Sequence, residues 1–164
     1  MQNSIRVIRI FTLLLSGLIA GTFFYGTFCV LPAFFDVPID IHLAFRKTLM
    51  QHNKFLVMLL VVLAICFHSA YRFMIRKNKL AWSLCLLALL LTVLSLLVTR
   101  FGSVPLNLLM KTWNPAAPPS NEATILGKWN VYNAIRTASS ITSFVLLLAL
   151  AEILPSAKPS TTSP

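Results

Sequence analysis

One apolar segment near the C-terminal end of the chain carries polar side chains at helical spacing. Trp129, Asn133, Arg136 and Ser140 are separated by four, three and four residues, so they share one face of a helix. An arginine at membrane depth costs at least about 2.5–3.5 kcal/mol on insertion scales and is expected to face the interior of a bundle. The only acidic residue in an apolar segment is Glu152, at the far end of the same helix. Arg136 therefore has no evident counter-ion and is available to an anionic group such as a phenolate, an enolate or a lipid headgroup.

Further polar side chains lie where four apolar segments are predicted to meet. One end of such a bundle brings together the end of the first segment, the start of the second, the end of the third and the start of the fourth. This convergence has two interpretations: a structural polar network that joins the helices, and a pocket that binds a polar or anionic group. Convergence from different segments favours the pocket. Besides Asn133 and Arg136, the residues are Tyr25, Gln51, His52, Asn53, Asn107, Trp129 and Tyr132.

The elements that position these side chains are predicted to be membrane helices. Of the 164 residues, 57% are hydrophobic and 11% are charged, whereas a soluble domain averages roughly 45–50% and about 25%. A membrane helix needs about 20 apolar residues, and the chain holds four such runs. We expect an all-α integral membrane four-helix bundle in one domain over 1–154, with a disordered polar tail over 155–164. Pro32 is expected to kink or end the first helix. The predicted spans are about 8–35, 53–75, 80–99 and 129–154.

The charge distribution orients the bundle. The chain has 14 Lys and Arg against 4 Asp and Glu, a net charge of +10. It has no long basic segment interleaved with aromatic residues, so nucleic acid is not an expected partner. The short second connection carries four basic residues between Arg72 and Lys79, which predicts that this connection and both termini are cytoplasmic. The first connection contains LAFRKTLM (43–50), which predicts a short amphipathic helix at the membrane interface.

Small residues in the first span define a second candidate surface. Gly17 and Gly21 form a GxxxG pair, a spacing that lets another helix backbone approach closely. The pair is either a face for homo- or hetero-oligomerisation or a chance feature of a glycine-bearing helix.

Metal and disulfide chemistry has little support in the sequence. The three cysteines fall inside apolar runs without metal-type spacing, which is typical of small buried hydrophobic residues. The histidines and aspartates of the first connection lack the spacing of helical metal sites. We expect neither a metal site nor a disulfide framework. The residues concerned are Cys29, Cys66, Cys85, Asp36, Asp40, His42 and His52.

Four stretches of the sequence together resemble a known family. The most specific stretch has the pattern aromatic–Asn–x–x–Arg–Thr. In this chain the pattern is formed by Tyr132, Asn133, Arg136 and Thr137. In order along the chain, the stretches resemble the DUF1772 family of small four-span membrane proteins, which includes the anthrone oxygenases of polyketide pathways. Many members have His directly after the Asn, where this chain has Ala134. The stretches are GLIAGTFFYGTFCVLPAF (17–34), LMQHN (49–53), VPLNLLMKTW (104–113) and WNVYNAIRT (129–137).

The resemblance implies a cofactor-free oxygenase that converts an anthrone to an anthraquinone with molecular oxygen. Such chemistry needs a base, a group that stabilises an oxyanion and a dry apolar pocket. His52 is the base candidate because of its intrinsic pKa, and Arg136 with neighbouring asparagines is the candidate for holding the enolate oxygen. We therefore expect catalytic roles for His52, Arg136 and Asn133, and substrate contacts from Asn53, Asn107, Trp129, Tyr132, Tyr25 and Gln51.

Two other functions remain open from the sequence. The main alternative is a non-enzymatic membrane subunit or scaffold that binds a partner protein or lipid through its helix faces. A small transporter ranks third, because proton-coupled export usually needs a carboxylate within the membrane and the first three spans contain none.

Overall fold

The protein is a bundle of α-helices in the computed structural model, which describes residues 2–52 and 54–153. Within these residues, four helices are long and apolar enough to cross a membrane: Asn3–Phe35, Leu56–Met74, Lys79–Thr112 and Glu122–Ile153. The prediction of an all-α four-span bundle is confirmed, and the chain is an integral multi-pass membrane protein. Its α-helices are α1 (Gln2–Tyr25), α2 (Leu31–Phe35), α3 (Ile39–His52), α4 (Lys54–Met74), α5 (Lys79–Leu97), α6 (Val104–Thr112) and α7 (Glu122–Ile153).

Two spans contain a π-helical segment immediately before a proline-bearing turn. Gly26–Val30 joins α1 to α2, and Val98–Ser103 joins α5 to α6. A proline removes one backbone donor and its ring collides with the carbonyl four residues earlier, and a π-helical turn changes this hydrogen-bond register. The helix therefore continues through Pro32 and Pro105, and Pro32 does not end it. The first span has 33 residues, roughly 50 Å of helix against a hydrocarbon core of about 30 Å.

Helix α7 is the centre of the bundle. It packs against α1 and α5, and α4 packs against the same two helices. Short polar side chains join α5 to α7: Thr92 Oγ1 lies 3.0 Å from Ser143 Oγ, and Ser140 donates to Ser95 Oγ at 3.1 Å. Because these hydroxyls satisfy one another, the bundle can bury them, and many large apolar side chains remain on the outside for contact with lipid.

Helix α3 lies outside the four spans and docks onto α6 and α7. Leu43 forms a buried apolar cluster with Met110, Trp113 and Leu126. Lys47 Nζ also donates a hydrogen bond to the Trp113 carbonyl. The predicted amphipathic helix therefore exists, and its inner face packs on protein.

Small side chains differ in what they face. A Cβ on Gly17 would lie 3.2 Å from the Phe144 ring, whereas a Cβ on Gly21 would meet nothing within 4 Å. Gly17 thus lets α7 approach α1 within one chain, and oligomerisation through this face stays a prediction.

Cys29 and Cys66 are exposed, so the prediction that they are buried was wrong.

Candidate functional site

Arg136 is held by an asparagine one turn earlier on α7. Its Nε and Nη2 both donate to Asn133 Oδ1, at 3.0 and 2.7 Å. Asn133 is only 2% exposed, and its Nδ2 donates to Thr27 Oγ1 at 2.8 Å. Thr27 in turn lies 2.7 Å from Thr137 Oγ1. The chain of hydrogen bonds fixes the amide, and the amide fixes the guanidinium.

Trp129 forms an aromatic wall beside this pair. Its Nε1 donates to Asn107 Oδ1 at 2.8 Å, which joins α7 to α6. The Arg136 Cζ lies 5.7 Å from the Trp129 ring centroid and 4.6 Å from that of Phe23. The structure therefore brings together four residues that the sequence analysis selected, from two different helices: Asn107, Trp129, Asn133 and Arg136.

A second arginine, which lies in the amphipathic helix predicted for the first connection, packs against the same indole. The Arg46 Cζ is 4.0 Å from the Trp129 centroid, and the residue is only 3% exposed. Its Nη1 contacts Met110 Sδ at 3.3 Å, whereas Nε and Nη2 have no hydrogen-bond partner among the described residues. Burial, and secondly the charge of Arg136, lower the pKa of Arg46 to about 10. Arg46 thus remains charged at neutral pH.

His42 lies one turn before Arg46 on α3 and is also buried. Its ring stacks on Phe34 at 4.8 Å between centroids, with an angle of 18°, and Phe35 meets it edge-on. Its Nε2 has no partner in the described part of the chain. Burial, with a smaller contribution from Arg46, lowers the pKa of His42 to about 4, so the imidazole is neutral at physiological pH. The spacing of four between His42 and Arg46 places both on one face of α3, but this spacing alone does not show that the face is buried.

The remaining predicted site residues lie elsewhere or outside the description. Tyr25 is 62% exposed, because Phe23 and Thr27 occupy the inward face and Tyr25 is two residues from each. Gln51 is also exposed. The side chain of His52 and the whole of Asn53 lie outside the described residues.

Tyr132, which directly precedes Asn133 on α7, lines an open groove. Its ring packs on Gly102, and the groove has a volume of about 310 Å³. The other lining residues are apolar, so the groove suits a lipophilic molecule. They are Leu97, Val98 and Phe101.

Metal ligands are not gathered in the part of the chain that the structure covers. Within 2–52 and 54–153, no group of three His, Cys, Asp or Glu residues is placed to hold an ion. The polar site is instead built from guanidinium, amide, hydroxyl and indole groups.

Comparison with protein families gives a match that covers most of the helical bundle. A family model described as Anthrone oxygenase matches residues 45–146, well over half of the chain. The matched region includes both arginines and the residues that contact them on α6 and α7. No curated protein and no solved structure matches the chain.

Proposed function

The chain belongs to the anthrone oxygenase family, and we propose that it is a cofactor-independent oxygenase of an anthrone-like or other lipophilic aromatic substrate. The observation that carries this proposal is the Arg136–Asn133 pair. Arg136 uses Nε and Nη2 for Asn133, which leaves Nη1 to bind an oxyanion. No carboxylate is among the described polar contacts of this guanidinium.

The reaction consumes one dioxygen and releases one water. A base removes a proton from the methylene carbon of the substrate, and the charge moves onto the neighbouring carbonyl oxygen as an enolate. Arg136 stabilises that oxygen, and Asn133 holds Arg136 in place. Carbon then binds dioxygen to give a hydroperoxide, which loses water to leave the new carbonyl group. A fixed cation in an apolar site favours the enolate over the neutral ketone, which is the differential stabilisation that catalysis requires.

Two histidines are candidates for the base. His52 is the candidate from the sequence. His42 is the candidate from the structure, because its imidazole is buried and its Nε2 has no hydrogen-bond partner among the described residues. Replacing each by Gln separates them, since the variant that lacks the base loses proton abstraction while its fold is retained.

The groove beside Tyr132 provides a route for the substrate. It is apolar, and Leu97 and Phe101, which line it, are exposed on the outer surface of the bundle. A lipophilic substrate dissolved in the bilayer would reach the site through this groove without crossing water.

The experiment is turnover of anthrone by purified full-length protein in lipid nanodiscs, with and without dioxygen. We expect dioxygen-dependent anthraquinone formation that Arg136→Met lowers by about 100-fold. Arg100→Met is the matched control, because Arg100 is an exposed arginine in the third span. Full turnover by Arg136→Met contradicts the assignment. A wild-type protein that is inactive and co-purifies with a stable partner favours the non-enzymatic subunit instead.

A further inference from the structure

The guanidinium of Arg46 has a donor edge that no described group uses. Nε and Nη2 are closed to solvent and have no hydrogen-bond partner within residues 2–52 and 54–153. A buried donor without a partner destabilises a fold by about 1–3 kcal/mol, and more when it is charged. A positive charge kept in this position without a carboxylate therefore points to a transient anionic partner.

The surroundings of this edge are apolar. Phe34, Met110 and Trp129 lie against the guanidinium. Dioxygen is small and uncharged, so it enters an apolar region at little cost and gains almost nothing from a cation. Once reduced it is an anion, and a cation in a region of low dielectric then stabilises it strongly. A cation in such surroundings would therefore bind dioxygen weakly before it accepts an electron and strongly afterwards.

We propose that Arg46 is a second catalytic residue, which binds the anion derived from dioxygen while Arg136 binds the enolate oxygen. This inference rests on the proposed function. The enolate transfers one electron to dioxygen, giving a substrate radical and superoxide, and the two radicals combine in a carbon–oxygen bond. The resulting peroxide anion takes back the proton held by the base. Loss of the remaining proton on that carbon and cleavage of the oxygen–oxygen bond release water and leave the carbonyl.

The position of both arginines against one indole fits this division of roles. Arg46 approaches Trp129 from α3, and Arg136 approaches it from α7 itself. Because described side chains close the Arg46 edge to water, a reactant reaches it through the apolar side chains of Phe34, Met110 and Trp129.

The test is steady-state kinetics with anthrone as the probe and dioxygen varied by gas mixing, on full-length protein in nanodiscs. We expect Arg46→Met to lower kcat/KM for dioxygen by about 100-fold while KM for anthrone changes less than about twofold, because the proposal assigns Arg46 to the dioxygen-derived anion and not to the ketone. Arg46→Lys keeps the charge without the planar fork and should retain part of the activity. Arg100→Met should match the wild type.

The outcomes separate this inference from the function on which it rests. Turnover by Arg46→Met with an unchanged kcat/KM for dioxygen overturns the role of Arg46 and leaves the oxygenase intact. A rise in KM for anthrone, with dioxygen kinetics unchanged, places Arg46 on the substrate instead and also overturns it. If the wild type shows no dioxygen-dependent turnover, the proposed function itself fails. If Arg46→Met does not fold, kcat/KM for dioxygen and KM for anthrone are compared in Arg46→Lys instead, and a loss confined to dioxygen is the expected result.

Discussion

Arg46 and Arg136, which are 90 residues apart in the sequence, lie against the same indole ring. Their Cζ atoms are 4.0 and 5.7 Å from the Trp129 centroid. Like charges repel, and burial adds a desolvation cost to each. None of the described polar contacts of either group is a carboxylate. The arrangement therefore concentrates positive charge where an anion would be stabilised most.

Asn133→Asp tests whether uncompensated charge is what the site needs. A carboxylate in the place of Asn133 Oδ1 would pair with Arg136 at the same distance and neutralise it. We expect the melting temperature in detergent to stay the same or rise, while kcat for anthrone falls by more than about tenfold. Circular dichroism melting and product absorbance measure the two effects.

The matched control is Asn114→Asp, which changes an exposed asparagine. It should leave both quantities unchanged. An Asn133→Asp variant with wild-type turnover would show that Arg136 does not act as a free cation.

The buried imidazole of His42 predicts a pH dependence of stability. Its pKa is about 4 in the folded protein and about 6.5 in an unfolded chain. Between these values the unfolded chain binds more protons, so stability is complete above about pH 6.5 and falls as the pH drops towards 4. Melting temperatures measured from pH 8 to 4 should show this fall in the wild type and a smaller one in His42→Phe. Equal falls in the two proteins would rule out His42 as the source.

Gly102 is predicted to be the glycine least tolerant of a methyl group. A Cβ there would lie 2.8 Å from Tyr132 Cγ, so the ring that lines the groove must shift. We expect Gly102→Ala to destabilise the protein by about 1–3 kcal/mol and to raise KM for anthrone. Gly21→Ala is the control, since its Cβ would meet nothing within 4 Å. Reversible unfolding in mixed micelles measures the difference, and equal effects of the two changes would contradict the packing of Tyr132 on Gly102.

The sequence was sufficient for features that depend on local pattern. Apolar runs predicted the four spans, and the spacing of Trp129, Asn133 and Arg136 predicted one polar face on α7. The inward Thr27 and the outward Tyr25 were harder to assign, because both are polar and only packing against α7 distinguishes them.

Arg46 was missed for a physical reason. It lies in a polar connection, where hydropathy assigns a charge to the interface, and its burial depends on the docking of α3 onto α6 and α7. That contact joins segments more than 60 residues apart in the sequence, as the hydrogen bond from Arg46 to Met110 shows. No local pattern encodes such a contact.

The proposed oxygenase inserts an oxygen atom from dioxygen into an aromatic substrate without a cofactor. The most direct measurement is mass spectrometry of the quinone formed from anthrone under ¹⁸O₂ by purified protein in nanodiscs, with protein-free nanodiscs as the blank. We expect one ¹⁸O atom per quinone, formed well above the blank rate by the wild type and near the blank rate by Arg136→Met. Quinone that lacks the label, or wild-type formation no faster than the blank, would rule out the proposed oxygenase.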